Sequence, residues 1–320
     1  MGNSYIRRHQ LPDNTLEMPL QNQIHAQKMF WGKSVTMLNN PIGIYLYLIL
    51  RNDLSWNLLS DKEKQIIFKA NKTHNIQRED YANPHLYGKG RIQEGENWDS
   101  FRLTATDEKG SFLFRTLESH SPCNVLEIGP GAGFYTRMIC EFKTVRSYTG
   151  IEMGKNFLDF LQPHLNRIKK SKKFNYFLIC DEITDTSLTE QYDTIILLSS
   201  IHHIPNRVEL FSKLSNALSP GGVIVCYDPS HYIPRVIKLS KNFILSGYWK
   251  KDYYLTRQNL ATHHMCSVGE YLKIEKKFSE LKIERLFFRY HKGLLKLLKC
   301  FVPKHWCSFD IGIIFKKQSC

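Results

Sequence analysis

From Ser111 onward the chain alternates two kinds of hydrophobic pattern. Short apolar runs of strand length, "NVLEIG", "SYTGIE", "FNYFLICD" and "YDTIILLSS", alternate with stretches whose apolar residues recur every three or four positions. The second kind includes "SFLFRTLES", "FYTRMICEFK", "KNFLDFLQPHLNRI" and "NRVELFSKLSNAL". A run that is apolar throughout fits a strand buried on both faces, and the helical spacing between runs supplies the crossovers. This alternation predicts an α/β domain whose sheet is mostly parallel and covered by helices on both faces. Pro163 lies inside the third helical stretch and predicts an interruption there. A fifth strand, "PGGVIVCYD", follows a Pro-Gly-Gly turn. The tail then offers a helix, "VGEYLKIEKKFSEL", and two strands, "KIERLFFRYH" and "DIGIIFKK", that could complete the sheet.

Residues 1–110 read as a mostly helical extension with polar joints. "IGIYLYLILRNDLSWNLL" is followed by "SDKEKQIIFKAN", with Ser60 as N-cap and Glu63 three positions on. The glycine-bearing stretch "NPHLYGKGRIQEGENWDS" is loop-like. The expected division is an extension over 1–110, able to serve as a substrate cover, and a domain over 111–320 with an insertion at 229–280.

Composition changes this picture in two places. The net charge of +14 is uneven: residues 229–320 hold 18 Lys/Arg against 6 Asp/Glu, while residues 1–228 hold 26 against 24. The basic C-terminal quarter reads either as a surface for an anionic partner or as a solvated face. Within it, "HKGLLKLLKCFVPKHW" sets leucines among Lys292, Lys296 and Lys299. That is the look of a basic amphipathic helix able to touch an anionic membrane through 292–306, or of an ordinary helix with leucines in the core. The eight cysteines include no C-x-x-C pair, and several fall in apolar runs, so they read as buried thiols of a reducing compartment. With no signal peptide visible and the apolar run "PIGIYLYLIL" only about half a membrane span, a cytoplasmic protein is expected.

The candidate chemistry centres on "VLEIGPGAGFYTR". Gly129, Gly131 and Gly133 form G-x-G-x-G, with Phe134 where a dinucleotide fingerprint has its third glycine, and no lysine supplies a P-loop. Glu127 precedes the turn, where an acid repels phosphate and suits an ammonium or sulfonium group. Glu152 ends the second strand, placed to accept both ribose hydroxyls. Asp181 ends the third, placed to accept from an adenine amino group.

With these residues in place, the chain resembles the class I S-adenosylmethionine-dependent methyltransferases, specifically the ubiquinone/menaquinone-biosynthesis-like branch. The resemblance rests on "VLEIGPGAG", "GIEMG", "CDEITD", "YDTIILLSSIHHIP" and "LSPGGVIVCYD", in family order over roughly 111–228. It implies a Rossmann-like seven-stranded sheet whose last strand is antiparallel, and S-adenosylmethionine as cofactor. By position, Gly129, Gly131 and Gly133 would admit the methionine portion and Glu127 would hold its amino end. Glu152 would bind ribose, Met153 would pack on adenine, Asp181 would read the adenine edge, and Ser199 would line the pocket.

Methyl transfer needs no metal, and His263 and His264 lack a third ligand at useful spacing, so none is expected. "SSIHHIP" places His202 and His203 beyond strand four, where one could act as base or both could serve a helix entry. Tyr227, Asp228 and His231 are weaker candidates on the same rim. The "SSIH" stretch lacks the N/D-P-P-Y of relatives that methylate DNA or glutamine amino groups. A small or lipid-like acceptor is therefore expected. RNA or protein methylation through the basic tail, and a cofactor-binding scaffold without turnover, are the alternatives.

Overall fold

The computed structural model describes residues 60–62, 65, 108–131, 133–204, 206–230, 267–290 and 308–319. Helix α1 (Glu108–His120) leads into β1 (Asn124–Ile128), α2 (Thr136–Glu141), β2 (Ser147–Glu152), α3 (Lys155–Ser171) and β3 (Asn175–Cys180). Then come β4 (Tyr192–Leu198), a 3₁₀ turn (Ile201–His203), α4 (Arg207–Ala217), β5 (Leu218–Pro229), α5 (Val268–Lys277), β6 (Leu281–Tyr290) and β7 (Ser308–Lys317).

The seven strands form one sheet in the order β3-β2-β1-β4-β5-β7-β6. Strands β1 to β5 pair in parallel, and β7 runs antiparallel between β5 and β6. The last strand is thus the antiparallel one, as expected. Each strand serves two cores because successive side chains point to opposite faces. In β1, Leu126 and Ile128 pack with Phe211 and Leu214 of α4 and Tyr271 of α5, while Val125 packs with Leu113 of α1, Ile139 of α2 and Leu161 of α3. The chain moves from β1 outward to β2 and β3 on one side, then crosses back to β4 beside β1 and moves outward to β5 on the other. A sheet that reverses direction in this way leaves a crevice at the carboxyl ends of its central strands.

Several elements differ in extent from the pattern. Helix α1 begins at Glu108, ahead of Ser111, and buries Phe112, Leu113, Thr116 and Leu117 along one stripe. Helix α2 begins only at Thr136, because Gly131 and Gly133 still hold positive φ just before it and Phe134 and Tyr135 pack ring against ring at 4.7 Å. The interruption expected at Pro163 does not occur: α3 is one helix of 17 residues with the proline inside. Pro163 faces solvent, while Phe157, Leu158, Leu161, Leu165 and Ile168 are buried on the other side. Burying each of those side chains stabilises by roughly 1.5–3 kcal/mol, which outweighs the lost backbone bond.

Helix α5 lies within the insertion expected at 229–280 and is part of the packed fold. Its Tyr271 and Ile274 are buried against the sheet, and Ser267 and Glu270 close its start as a capping box. The stretches 1–59, 231–266 and 292–306, with His231, His263 and His264, lie outside the described residues.

Candidate cofactor and acceptor site

The glycine turn is built by backbone conformations that only glycine adopts readily. Gly129, Gly131 and Gly133 have φ of +70°, +54° and +80°. A Cβ on Gly129 would also stand 2.9 Å from the Ser200 Cβ, so the turn after β1 and the turn after β4 touch there. The Gly129 N–H donates to the Ile151 carbonyl (2.9 Å), tying the turn to β2.

Glu152 completes that tie. Its Oε2 accepts from the Gly131 N–H (3.0 Å) and its Oε1 from the Gly154 N–H (2.9 Å), with the residue only 6% exposed. A carboxylate accepts about four hydrogen bonds, and Glu152 lines the cleft. Asp181 stands beside it: its N–H donates to the Glu152 carbonyl (3.2 Å) and its Oδ1 accepts from the Glu182 N–H (2.8 Å). Its Oδ2 is buried with no hydrogen-bond partner among the described residues. Such an atom costs free energy until a donor reaches it, and an exocyclic amino group is such a donor.

One cleft gathers most of the residues singled out from the sequence. Gly129, Glu152, Met153, Asp181 and Ser199 line it, together with Glu182, Ser200 and His203. Gly131 takes part through its bond to Glu152, and Gly133 shapes the turn without lining the cleft. Glu127 points elsewhere. On β1 it alternates with Leu126 and Ile128, and its Oε2 accepts from Thr136 Oγ1 (2.7 Å) and Tyr148 OH (2.8 Å). Burial pushes its carboxyl up to about 7, with the two hydroxyls opposing and Glu152 adding to the rise.

The two histidines separate as well. His203 lines the cleft, and its ring lies 4.1 Å from that of His202. His202 is buried behind it, with Nδ1 2.5 Å from Asp228 Oδ1 and its N–H donating to the same oxygen at 3.3 Å. Burial raises the Asp228 carboxyl above the usual carboxylate range, with Lys109 and Arg207 among the groups opposing that rise. Ser199 adopts φ +57°, unusual for a residue with a Cβ, and is held from two sides. Its N–H donates to the Tyr227 carbonyl (2.7 Å), and its Oγ accepts from the Lys109 ammonium. Lys109, the partner of Ser199, is a residue that sequence reasoning missed. It lies 90 residues from Ser199, in the first turn of a helix whose periodicity reports only its buried stripe.

Among the described residues no three His, Cys, Asp or Glu side chains converge as metal ligands, and no helix is long and apolar enough to cross a membrane.

Comparisons with known proteins agree with this geometry. Residues 126–224 match the family model described as a methyltransferase domain. The polyamine aminopropyltransferase of Buchnera aphidicola subsp. Acyrthosiphon pisum (strain Tuc7) is 24% identical over 234 residues, which is 63% of this chain and 79% of the relative. The ubiquinone biosynthesis O-methyltransferase of Hydrogenovibrio crunogenus is 23% identical over 141 residues, 40% of this chain and 57% of the relative. The N-methyltransferase NodS of Bradyrhizobium japonicum WM9, solved in complex with S-adenosyl-L-homocysteine, aligns at TM-score 0.46 and 15% identity over 71% of this chain and 94% of that one. Over residues 126–224 the chain is similar to methyltransferase domains, and its relatives include ubiquinone-biosynthesis O-methyltransferases. It is an enzyme, and S-adenosylmethionine is its cofactor.

Proposed function

We propose that this enzyme methylates a small or lipid-like acceptor, with the nucleoside end of the cofactor on Glu152, Met153 and Asp181 and the methyl group directed toward Ser199 and His203. The observation that carries the reading is the cleft itself. It joins a donor-seeking Asp181 oxygen at one end to a histidine at the other, across a turn too tight for any residue but glycine.

Bound there, S-adenosylmethionine supplies a methyl carbon on a sulfonium whose thioether leaving group needs no acid. The chain's part is positioning, which can supply on the order of 7–11 kcal/mol. Glu152 holds the glycine turn in place and Ser199 shapes the wall opposite. For a hydroxyl acceptor His203 takes the proton, a contribution of roughly 10²–10⁴-fold. His202, held by Asp228, fixes the turn that carries His203. Glu127, sealed behind β1, acts on the cofactor's amino end only at a distance, as a neighbouring charge.

Helix α1 begins at the same rim, since Lys109 in its first turn reaches Ser199. The chain also leaves and re-enters there twice, because Pro229 pairs with Asp310 and Tyr290 pairs with Ser308. This supports a covering role for the N-terminal extension and an approach to anionic membrane through 292–306. A cytoplasmic location fits both.

The test is a transfer assay. The full chain, given methyl-labelled cofactor, is offered separate pools of phenols, amines, polyisoprenoid lipids and RNA, and each product is weighed. Label in a small-molecule or lipid pool, as one added methyl group, supports the reading. Label confined to RNA, or to protein present in the assay, contradicts it.

A further inference from the structure

Lys109 places a positive charge at the edge of the cofactor cleft. Its ammonium donates to Ser199 Oγ, a residue of the cofactor cleft. It also lies 5.3 Å from the ring centre of Tyr227 and 5.7 Å from that of Tyr135. Tyr135 stands where α2 begins, directly after the glycine turn, and Tyr227 lies near the end of β5. The ammonium therefore sits on the β4/β5 side of the turn, away from Glu152 and Asp181 on β2 and β3.

Two buried carboxyl groups stand near Tyr227, since Asp228 follows it on β5 and Asp310 of β7 pairs with Pro229. Asp228 is fully buried, and its Oδ2 has no hydrogen-bond partner among the described residues. Asp310 is 5% exposed and is paired with Arg289 at 3.0 Å. Burial raises both carboxyls, and in each the Lys109 charge is the strongest opposing influence. Aromatic faces attract cations because the ring face is negative, and that attraction grows as water is removed. Buried carboxylates add to it. A neutral or anionic group gains nothing from such surroundings.

The geometry points to a cation subsite beside the cofactor cleft, formed by Tyr135, Tyr227, Ser199 and Asp228, that receives an amine of the acceptor and is filled by Lys109 in its absence. The inference rests on the methyltransferase reading and narrows it to an amine-bearing acceptor. Lys109 reaches the subsite on a flexible four-carbon stem from the first turn of α1. It can withdraw without moving the sheet.

The experiment is calorimetry on the full chain saturated with S-adenosylhomocysteine. The probe is tetramethylammonium, and neopentyl alcohol is its neutral isostere. Lys109→Ala is expected to bind tetramethylammonium at least ten-fold more tightly than wild type, with no gain for the alcohol. Adding Tyr135→Leu should remove the gain. The subsite is refuted if Lys109→Ala holds S-adenosylhomocysteine yet gains no affinity for the cation, if the alcohol gains equally, or if the gain survives Tyr135→Leu. Failure of wild type to bind S-adenosylhomocysteine refutes the methyltransferase reading first, and the subsite with it.

Discussion

Glu127 and Glu152 flank the same glycine turn, yet their surroundings give them different roles. Glu152 is held by two backbone N–H groups at the cleft, whereas Glu127 is sealed behind β1 with two hydroxyl donors. Glu127's pKa in the fold is about 7 against an ordinary 4.5, so the folded state holds the proton more tightly than the unfolded chain. Stability from this group is complete below pH 4.5 and is lost as pH rises through 7. The loss amounts to about 3 kcal/mol. Denaturant unfolding at pH 5 and pH 8 should show wild type losing more stability than Glu127→Gln across that interval. Parallel profiles would contradict the assignment. At this scale the sequence discloses position better than direction. Glu152 and Asp181 were legible because they end strands. Glu127 was placed correctly along β1, but a strand apolar on both faces conceals which way its one acid points. Lys109 was not legible, since only folding brings it to Ser199.

The elements were largely legible, because apolar runs of strand length separated by helical spacing admit few other folds. What failed was local punctuation. Pro163 signalled a break, and burial of one helix face overrode it. Removing that conflict should help: Pro163→Ala is expected to raise unfolding free energy by about 1–3 kcal/mol, since proline costs about 3 kcal/mol in a helix interior. No gain would mean that α3 has adapted to the missing N–H. Glu270 carries two duties at the start of α5. Its carboxylate closes the capping box with Ser267 and pairs with Arg207 at 2.6 Å, both side chains being about 6% exposed. Ser267→Ala should cost about 1 kcal/mol. Glu270→Ala should cost roughly 3–5 kcal/mol, because it removes the carboxylate from a buried arginine. Equal losses in the two variants would show that the ion pair adds nothing beyond the cap.

The whole molecule has a simple division of labour. One end of the sheet closes on itself, with the Gln318 N–H donating to the Glu280 carbonyl. The other end carries the glycine turn, Glu152, Asp181, His203 and Lys109, together with the points where 1–107, 231–266 and 291–307 join. This follows from strand order, since parallel strands bring all their carboxyl ends to one edge. Charge patterning gave a basic C-terminal quarter, but the described cleft is acidic, lined by Glu152, Asp181 and Glu182. Net charge reports the surface and leaves the pocket's own field unstated.

The central claim is that this acidic cleft holds S-adenosylmethionine. Calorimetric titration of wild type and Asp181→Ala with the cofactor and with S-adenosylhomocysteine tests it most directly. Asp181 Oδ1 accepts from the Glu182 N–H, so the substitution should lower the melting temperature slightly, while loss of the unpartnered Oδ2 weakens binding. The account predicts roughly micromolar binding by wild type and at least a ten-fold loss in the variant, about 1.4 kcal/mol. Folded wild type that binds neither ligand, or an Asp181→Ala protein that binds as tightly as wild type, would contradict it.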